Sequence, residues 1–165
     1  PDLATAFAFP FNLTAVGDEF FFTATDAGTG FQRIFQLDNG GTTATKLALP
    51  DIAGVIIELA DLGDQLGVIA FEAGIDQVFV FTPGAQPGDE SGATRLTSFS
   101  QSGGISTLTL GGDDEFYFTR TTEAEGRELW VIDSTASEGA RLLQDINLTP
   151  VPVGYDPQQV ESQWV

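Results

Sequence analysis

The stretch "GRELWVIDSTASEGARLLQDI", residues 126–146, is either a site or one copy of a unit, and that choice decides the fold. A site keeps its residues for chemistry, whereas a repeat keeps them for stacking. The stretch lies within "TLTLGGDDEFYFTRTTEAEGRELWVIDSTASEGARLLQDI", which starts at Thr107, and two other segments match that longer string in order. They are "NLTAVGDEFFFTATDAGTGFQRIFQLDNGGTTATKLALPDI" from Asn12 and "ELADLGDQLGVIAFEAGIDQVFVFTPGAQPGDESGATRLTSF" from Glu58.

Each copy opens on a leucine, Leu13, Leu59 or Leu108, and then turns at Gly17-Asp18, Gly63-Asp64 or Gly112-Asp113. Apolar runs follow at Phe20-Phe21-Phe22, Leu66-Gly67-Val68-Ile69 and Phe116-Tyr117-Phe118. A third element reads Ile34-Phe35-Gln36-Leu37, Val78-Phe79-Val80-Phe81 and Leu129-Trp130-Val131-Ile132. The last aligns Thr45-Lys46-Leu47, Thr94-Arg95-Leu96 and Ala140-Arg141-Leu142. Matched positions recur at intervals of roughly 44 to 52 residues, which suits a unit of four short strands.

The second and third elements are almost continuously apolar, as strands covered on both faces should be. Asp38-Asn39-Gly40-Gly41 supplies the positive backbone angles of a short hairpin. The corresponding "TPGAQPGDESG" of copy two is longer, as a surface loop tolerates. The expectation is an all-β, β-propeller-like array of three four-stranded antiparallel blades at about 12–52, 58–100 and 107–149. Residues 1–165 then form a single repeat array, with 150–165 starting a further blade or serving as a docking tail.

Composition agrees. Nineteen glycines, eight prolines and 14 phenylalanines, without a long run of helix formers, point to many short strands and tight turns. The formal charge of -18 repels phosphate backbones and anionic headgroups, so nucleic acid is not an expected partner. The same acidity suits solubility outside the cell, and it attracts divalent cations or basic proteins. The chain has no cysteine and no histidine, which removes disulfides, Cys/His zinc sites and the Ser-His-Asp and Cys-His mechanisms. No apolar run approaches the about 18 residues that span a bilayer. The chain opens at Pro1 without a leader pattern, so a processed or excised piece is expected.

The third copy resembles the ELWxxDGT repeat family of secreted and surface-attached bacterial proteins. Glu128-Leu129-Trp130 keeps its core motif, and Asp133-Ser134-Thr135 keeps the Asp and Thr of DGT while replacing its Gly. Copy one keeps Phe22-Thr23-Ala24-Thr25-Asp26 and Gly30 but has Arg33-Ile34-Phe35 in place of ELW. Copy two diverges most, with Gln77-Val78-Phe79 there. The resemblance implies a propeller-like array, often inside a larger surface protein in an extracellular, cell-surface or periplasmic setting. It implies no catalytic residues, because the pattern is one of packing.

The acidic turns are the candidate metal site. Asp113-Asp114-Glu115, Asp26 beside Thr25, and Asp61 with Asp64 place oxygens near glycines, and calcium takes about six to eight such ligands. Asp113, Asp114, Asp26 and Asp64 are the candidate calcium ligands, against the plainer reading that they form turns. Glycosidase chemistry needs two facing carboxylates, and no copy carries a unique pair, so no enzyme is expected. Trp130 and Phe35 are expected in the core rather than on a sugar platform. Lys46, Arg95 and Arg141 are expected to be equivalent cations, each paired with an acid on the adjacent blade.

Propellers close with about four to eight blades, so three leave two open faces. Phe7, Phe9 and Phe11 add an alternating apolar stretch without a counterpart in the other copies. The expected function is therefore a non-catalytic extracytoplasmic interaction or scaffold module, joined to a protein partner or to itself through its open blade ends. The alternatives are a calcium-dependent carbohydrate-binding or adhesive module and an accessory stabilising subunit of a membrane-associated complex.

Overall fold

The structure, a computed structural model, describes residues 7–38, 40–47, 54–83, 93–112, 114–133 and 139–144. Among the described residues there are twelve strands and no helix. Blade 1 comprises β1 (Phe7–Val16), β2 (Glu19–Asp26), β3 (Gln32–Leu37) and β4 (Ala44–Lys46). Blade 2 comprises β5 (Val55–Asp61), β6 (Leu66–Glu72), β7 (Ile75–Phe81) and β8 (Ala93–Arg95). Blade 3 comprises β9 (Gly104–Leu110), β10 (Glu115–Thr122), β11 (Gly126–Asp133) and β12 (Ala140–Gln144). Each is a four-stranded antiparallel meander in chain order, and none closes into a barrel. The propeller-like, all-β architecture read from the repeats is the one the chain adopts.

Turn chemistry sets the connections. Ala73 and Gly74 both hold positive φ, 48° and 91°, the requirement of a two-residue hairpin between β6 and β7. Gly17 and Gly63 serve the first turns of blades 1 and 2 at φ 58° and 85°. In blade 3 the left-handed residue is Asp114 at φ 64°, a conformation that Asp tolerates better than most side chains.

Cross-strand register makes the repeat explicit. Phe22 faces Phe35, Val68 faces Phe79, and Phe118 faces Trp130. One step along, Ala24 faces Arg33, Ala70 faces Gln77, and Arg120 faces Glu128. Residues opposite each other share a face of the sheet, so every blade has a leading face carrying Phe22, Val68 or Phe118. Its trailing face carries Phe21, Gly67 or Tyr117.

Blades stack trailing face to leading face. Val16, Phe21 and Ile34 of blade 1 join Leu66, Val68, Ala70, Phe79 and Phe81 of blade 2 in one core. Ile69, Val78 and Val80 on the trailing face of blade 2 meet Phe116, Phe118 and Ile132 of blade 3 in a second. Burying one such side chain fully stabilises by about 1.5–3 kcal/mol. These two junctions therefore dominate the energetics of the array.

The first strands lie side by side, β5 against both β1 and β9, and each bulges near the same position. In β1 and β9 the extra residue falls at Asn12-Leu13 and Thr107-Leu108, and in β5 it is Ile57, next to Glu58. Asn12 and Thr107 take positive φ there, 51° and 61°. A bulge twists a strand and frees backbone groups from the ladder. At this one those groups are used between blades: Asn12 donates to the Ile57 carbonyl at 3.2 Å, and Glu58 accepts from the N–H of Leu108 at 3.0 Å.

The Phe7–Phe11 stretch, which has no counterpart in the other copies, is the front half of β1, with Phe7 opposite Asp26 and Phe11 opposite Thr23. Two register shifts break its alternation, so the sequence spacing does not report its faces. The similarity starts at Asn12, Glu58 and Thr107 because the bulge separates a divergent front half from a shared second half.

The cation alignment slips by one residue. Lys46 faces Phe35 and Arg95 faces Phe79, but Leu142 faces Trp130, which puts Arg141 beside Val131 on the other face. The pairs also stay within a blade, Lys46 with Asp26, Arg95 with Glu72 and Arg141 with Glu115, because a cation on the fourth strand reaches its own sheet first. The long loop 84–92, the DGT-like segment 134–138 and the further strand expected in 150–165 lie outside the described residues.

Candidate interaction site

The acidic turns do not converge. Asp64 and Asp114 are exposed in the first turns of blades 2 and 3, while Asp26 ends β2 at the opposite end of its blade, a strand length of more than about 20 Å away. Asp113 lies outside the described residues. Asp26 is already engaged: Oδ2 meets the Lys46 ammonium, and Oδ1 accepts the Gly28 N–H at 2.8 Å. The Lys46 hydrogen bond, with that of Gly28, holds its carboxyl below the ordinary carboxylate range. Asp61 closes its own turn by accepting the Gly63 N–H at 2.9 Å. Among the described residues no three acidic, histidine or cysteine side chains gather as a metal site.

The ELW motif builds core. Trp130 packs edge-on against Phe99 at 5.3 Å and stacks on Phe118 at 6.4 Å, with the Arg120 guanidinium 4.1 Å above the Phe99 ring. Glu128 is buried, and so is Gln77 at the equivalent place in blade 2. Gln77 donates to the Phe99 carbonyl at 2.9 Å and accepts from the Thr97 hydroxyl at 2.8 Å, so this position anchors the connector to blade 3.

The leading face of blade 1 is buried at its centre, at Phe22, Ala24 and Phe35, and exposed at its margin, at Leu13 and Phe20. Phe22, Ala24 and Phe35 form a small cluster there with Phe7, Leu37 and Ala44, and Phe22 and Phe35 stack at 5.6 Å. Phe7 of β1 packs over it, its ring 5.1 Å from that of Phe22 and 5.0 Å from that of Phe35. Leu13 is 74% exposed, whereas its counterparts Leu59 and Leu108 are 8% and 5%. Phe20 is 52% exposed against 0% for Leu66 and 2% for Phe116. The same two positions are thus apolar in every blade and wet only in the first.

The face continues into a shallow cleft of about 560 Å³ lined by Asp18, Phe20, Leu37, Asp38, Gly40 and Gly41. Asp38 shapes its rim by accepting the Thr42 and Thr43 N–H groups at 2.7 and 2.9 Å, which holds this carboxylate ionised below its ordinary range. The cleft has an apolar floor and an anionic lip.

At the other end, the trailing face of blade 3 is more polar. Thr119 and Ser106 share a hydrogen bond at 3.0 Å, and Arg127 donates to both, at 3.0 and 3.2 Å. Tyr117 and Leu129 are half-buried, and Val131 is buried. The Tyr117 hydroxyl donates to Glu115, which lifts the phenol above its ordinary range.

Sequence reasoning did not single out Leu13 and Phe20 as exposed. The usable signal was the apolar identity of Leu13 and Phe20 at positions that stacking buries in the later copies. No helix among the described residues is long and apolar enough to cross a membrane. Comparison with known protein families, curated proteins and solved structures finds no match.

Proposed function

We propose that this chain is a non-catalytic interaction or scaffold module that works outside the cytoplasm and docks a protein on the leading face of blade 1. The observation that carries the reading is the exposure of Leu13 and Phe20 where the equivalent residues of blades 2 and 3 are buried. Contiguous apolar surface of this kind marks interaction sites in soluble proteins. The extracytoplasmic setting rests on the resemblance of Glu128-Leu129-Trp130 to repeats of secreted and surface-attached bacterial proteins, and the acidic surface suits it. Chemistry is left to others. The chain has neither His nor Cys, and Asp26, Asp61 and Glu58 serve an ion pair, a turn and a contact between blades.

The test is a photoreactive phenylalanine analogue placed at Phe20 in the producing cell, with Phe31, an exposed residue of the β2–β3 turn, as the control. Protein adducts identified by mass spectrometry at Phe20 and absent at Phe31 are expected. Equal labelling at both positions, or none at Phe20, would end the proposal.

A further inference from the structure

We infer that the partner docked at the margin of blade 1 is a different, basic protein, which sets an arginine side chain into the cleft between Phe20 and the β3–β4 turn. The inference rests on the docking role just proposed and names the chemistry of its partner. Apolar and anionic surface meet here. Phe20 and Leu37 lie opposite each other and form the floor, and Asp18 and Asp38 line the cleft beside Gly40 and Gly41. An arginine suits both halves, because its stem packs on apolar surface while its planar head stacks on an aromatic ring and binds carboxylate.

The chain uses that pairing within itself. Arg95 lies 5.9 Å over the Phe79 ring and reaches Glu72 at 3.7 Å. Arg33 and Arg120 also lie over phenylalanine rings, those of Phe31 at 5.4 Å and Phe99 at 4.1 Å. In the cleft the ring and the acids belong to this chain, and the cation is left for a partner to bring. Asp38 keeps its place without one, since its carboxylate accepts the Thr42 and Thr43 N–H groups and the Thr42 hydroxyl.

Charge points away from a second copy, and from any other stretch of this chain, as the source. The chain has six Lys and Arg residues, all of them among the described residues, and each is already engaged. Lys46 pairs with Asp26, Arg95 with Glu72 and Arg141 with Glu115. Arg33 donates to the Gln32 carbonyl, Arg120 to the Gln101 carbonyl, and Arg127 to the Thr119 and Ser106 hydroxyls. Against them stand 24 acidic residues, so two copies repel each other at a lip that already carries two carboxylates.

Two-dimensional NMR of the isotope-labelled 165-residue chain tests this with the peptide acetyl-Leu-Arg-Leu-Arg-Leu-amide. The control is its citrulline counterpart, which keeps size and stem but carries no charge. The arginine peptide should shift the amide signals of Phe20, Gly40 and Gly41 and leave that of Phe31 unmoved. The citrulline peptide should bind at least about fivefold more weakly, and Asp18→Asn with Asp38→Asn should weaken the arginine peptide as much. Both aspartates are exposed, and the new amide at position 38 keeps an acceptor oxygen for the turn, so far-UV circular dichroism should not change. Raising salt from about 0.05 to about 0.5 M should weaken binding in the same direction.

Equal binding of the two peptides, shifts that survive the Asp18 and Asp38 changes, or no shift at Phe20 overturns the inference. Photoadducts at Phe20 to a second copy of the chain, or to a partner segment without Arg or Lys, also overturn it while leaving the docking role standing. Labelling at Phe20 no stronger than at Phe31 removes the docking role itself.

Discussion

Glu58 grips the backbone of the next blade at Leu108: its two carboxylate oxygens accept the N–H groups of Thr107 at 3.1 Å and Leu108 at 3.0 Å. A single side chain thus spans the bulges of two neighbouring first strands. Hydrogen bonds to an ionised acceptor are the stronger kind. Replacing Glu58 with Ala should lower stability by about 1–2 kcal/mol in urea unfolding, and Glu58→Gln by less, because the amide keeps one acceptor oxygen. An unchanged midpoint for Glu58→Ala would show that the contact contributes nothing.

Gly67 leaves the room that Leu62 and Leu108 fill between blades 2 and 3. A Cβ there would lie 2.6 Å from Leu108 Cδ2 and 2.7 Å from Leu62 Cδ1. Gly67→Ala should cost about 1–3 kcal/mol through overpacking. Gly104→Ala, where nothing lies within 4 Å, should change stability by no more than about 0.5 kcal/mol. Thermal melts of the pair give the comparison, and equal shifts would contradict it.

The Asp26–Lys46 pair should make stability depend on acid in a defined direction. Lys46 and Gly28 hold the folded carboxyl below its ordinary value of 3.8, so the unfolded chain takes up the proton first. The stabilisation is then complete above that value and is lost as pH falls through the lower, folded one. Urea unfolding of wild type and Asp26→Asn should differ most near neutral pH and converge in strong acid. A difference that grew on acidification would reverse the assignment.

Arg120 stands where blades 1 and 2 carry Ala24 and Ala70, and its guanidinium fills the space between Phe99, at 4.1 Å, and Trp130, at 5.5 Å. It also donates to the Gln101 carbonyl at 2.9 Å. Burial lowers its pKa from the usual arginine value. Arg120→Ala should cost about 2 kcal/mol from lost ring contact and stem packing. Arg120→Lys should fall between, since an ammonium cannot stack as a plane. Near-UV circular dichroism from Trp130 would follow the loss, and an unperturbed spectrum would place the tryptophan outside this stack.

The blade pattern was legible because stacking demands apolar residues at fixed steps along β2, β6 and β10, and Leu66, Val68 and Phe118 announce them whatever the neighbouring loops do. Register within the short fourth strands was not legible. A three-residue strand such as Ala44–Lys46 carries too little alternation to distinguish Arg141 from Leu142 as the partner of Lys46. The front of β1 was hidden for a different reason: Phe7, Phe9 and Phe11 do alternate, but two register shifts keep that alternation from mapping onto the faces of the strand. As for the site, sequence named the residue types of the open face but could not single them out. Leu13 differs from Leu59 only in what lies on top of it.

Blade 2 has no side of its own to turn to water: β6 is buried from Leu66 through Ala70, and β7 from Asp76 through Phe81. It is a keystone, held only while both flanking packets are present. A ribosome releasing the chain from its front end would expose adhesive surface until β9 and β10 emerge. Heat should likewise find no partly melted array to populate, and calorimetry should record one cooperative transition rather than the sequential loss of units.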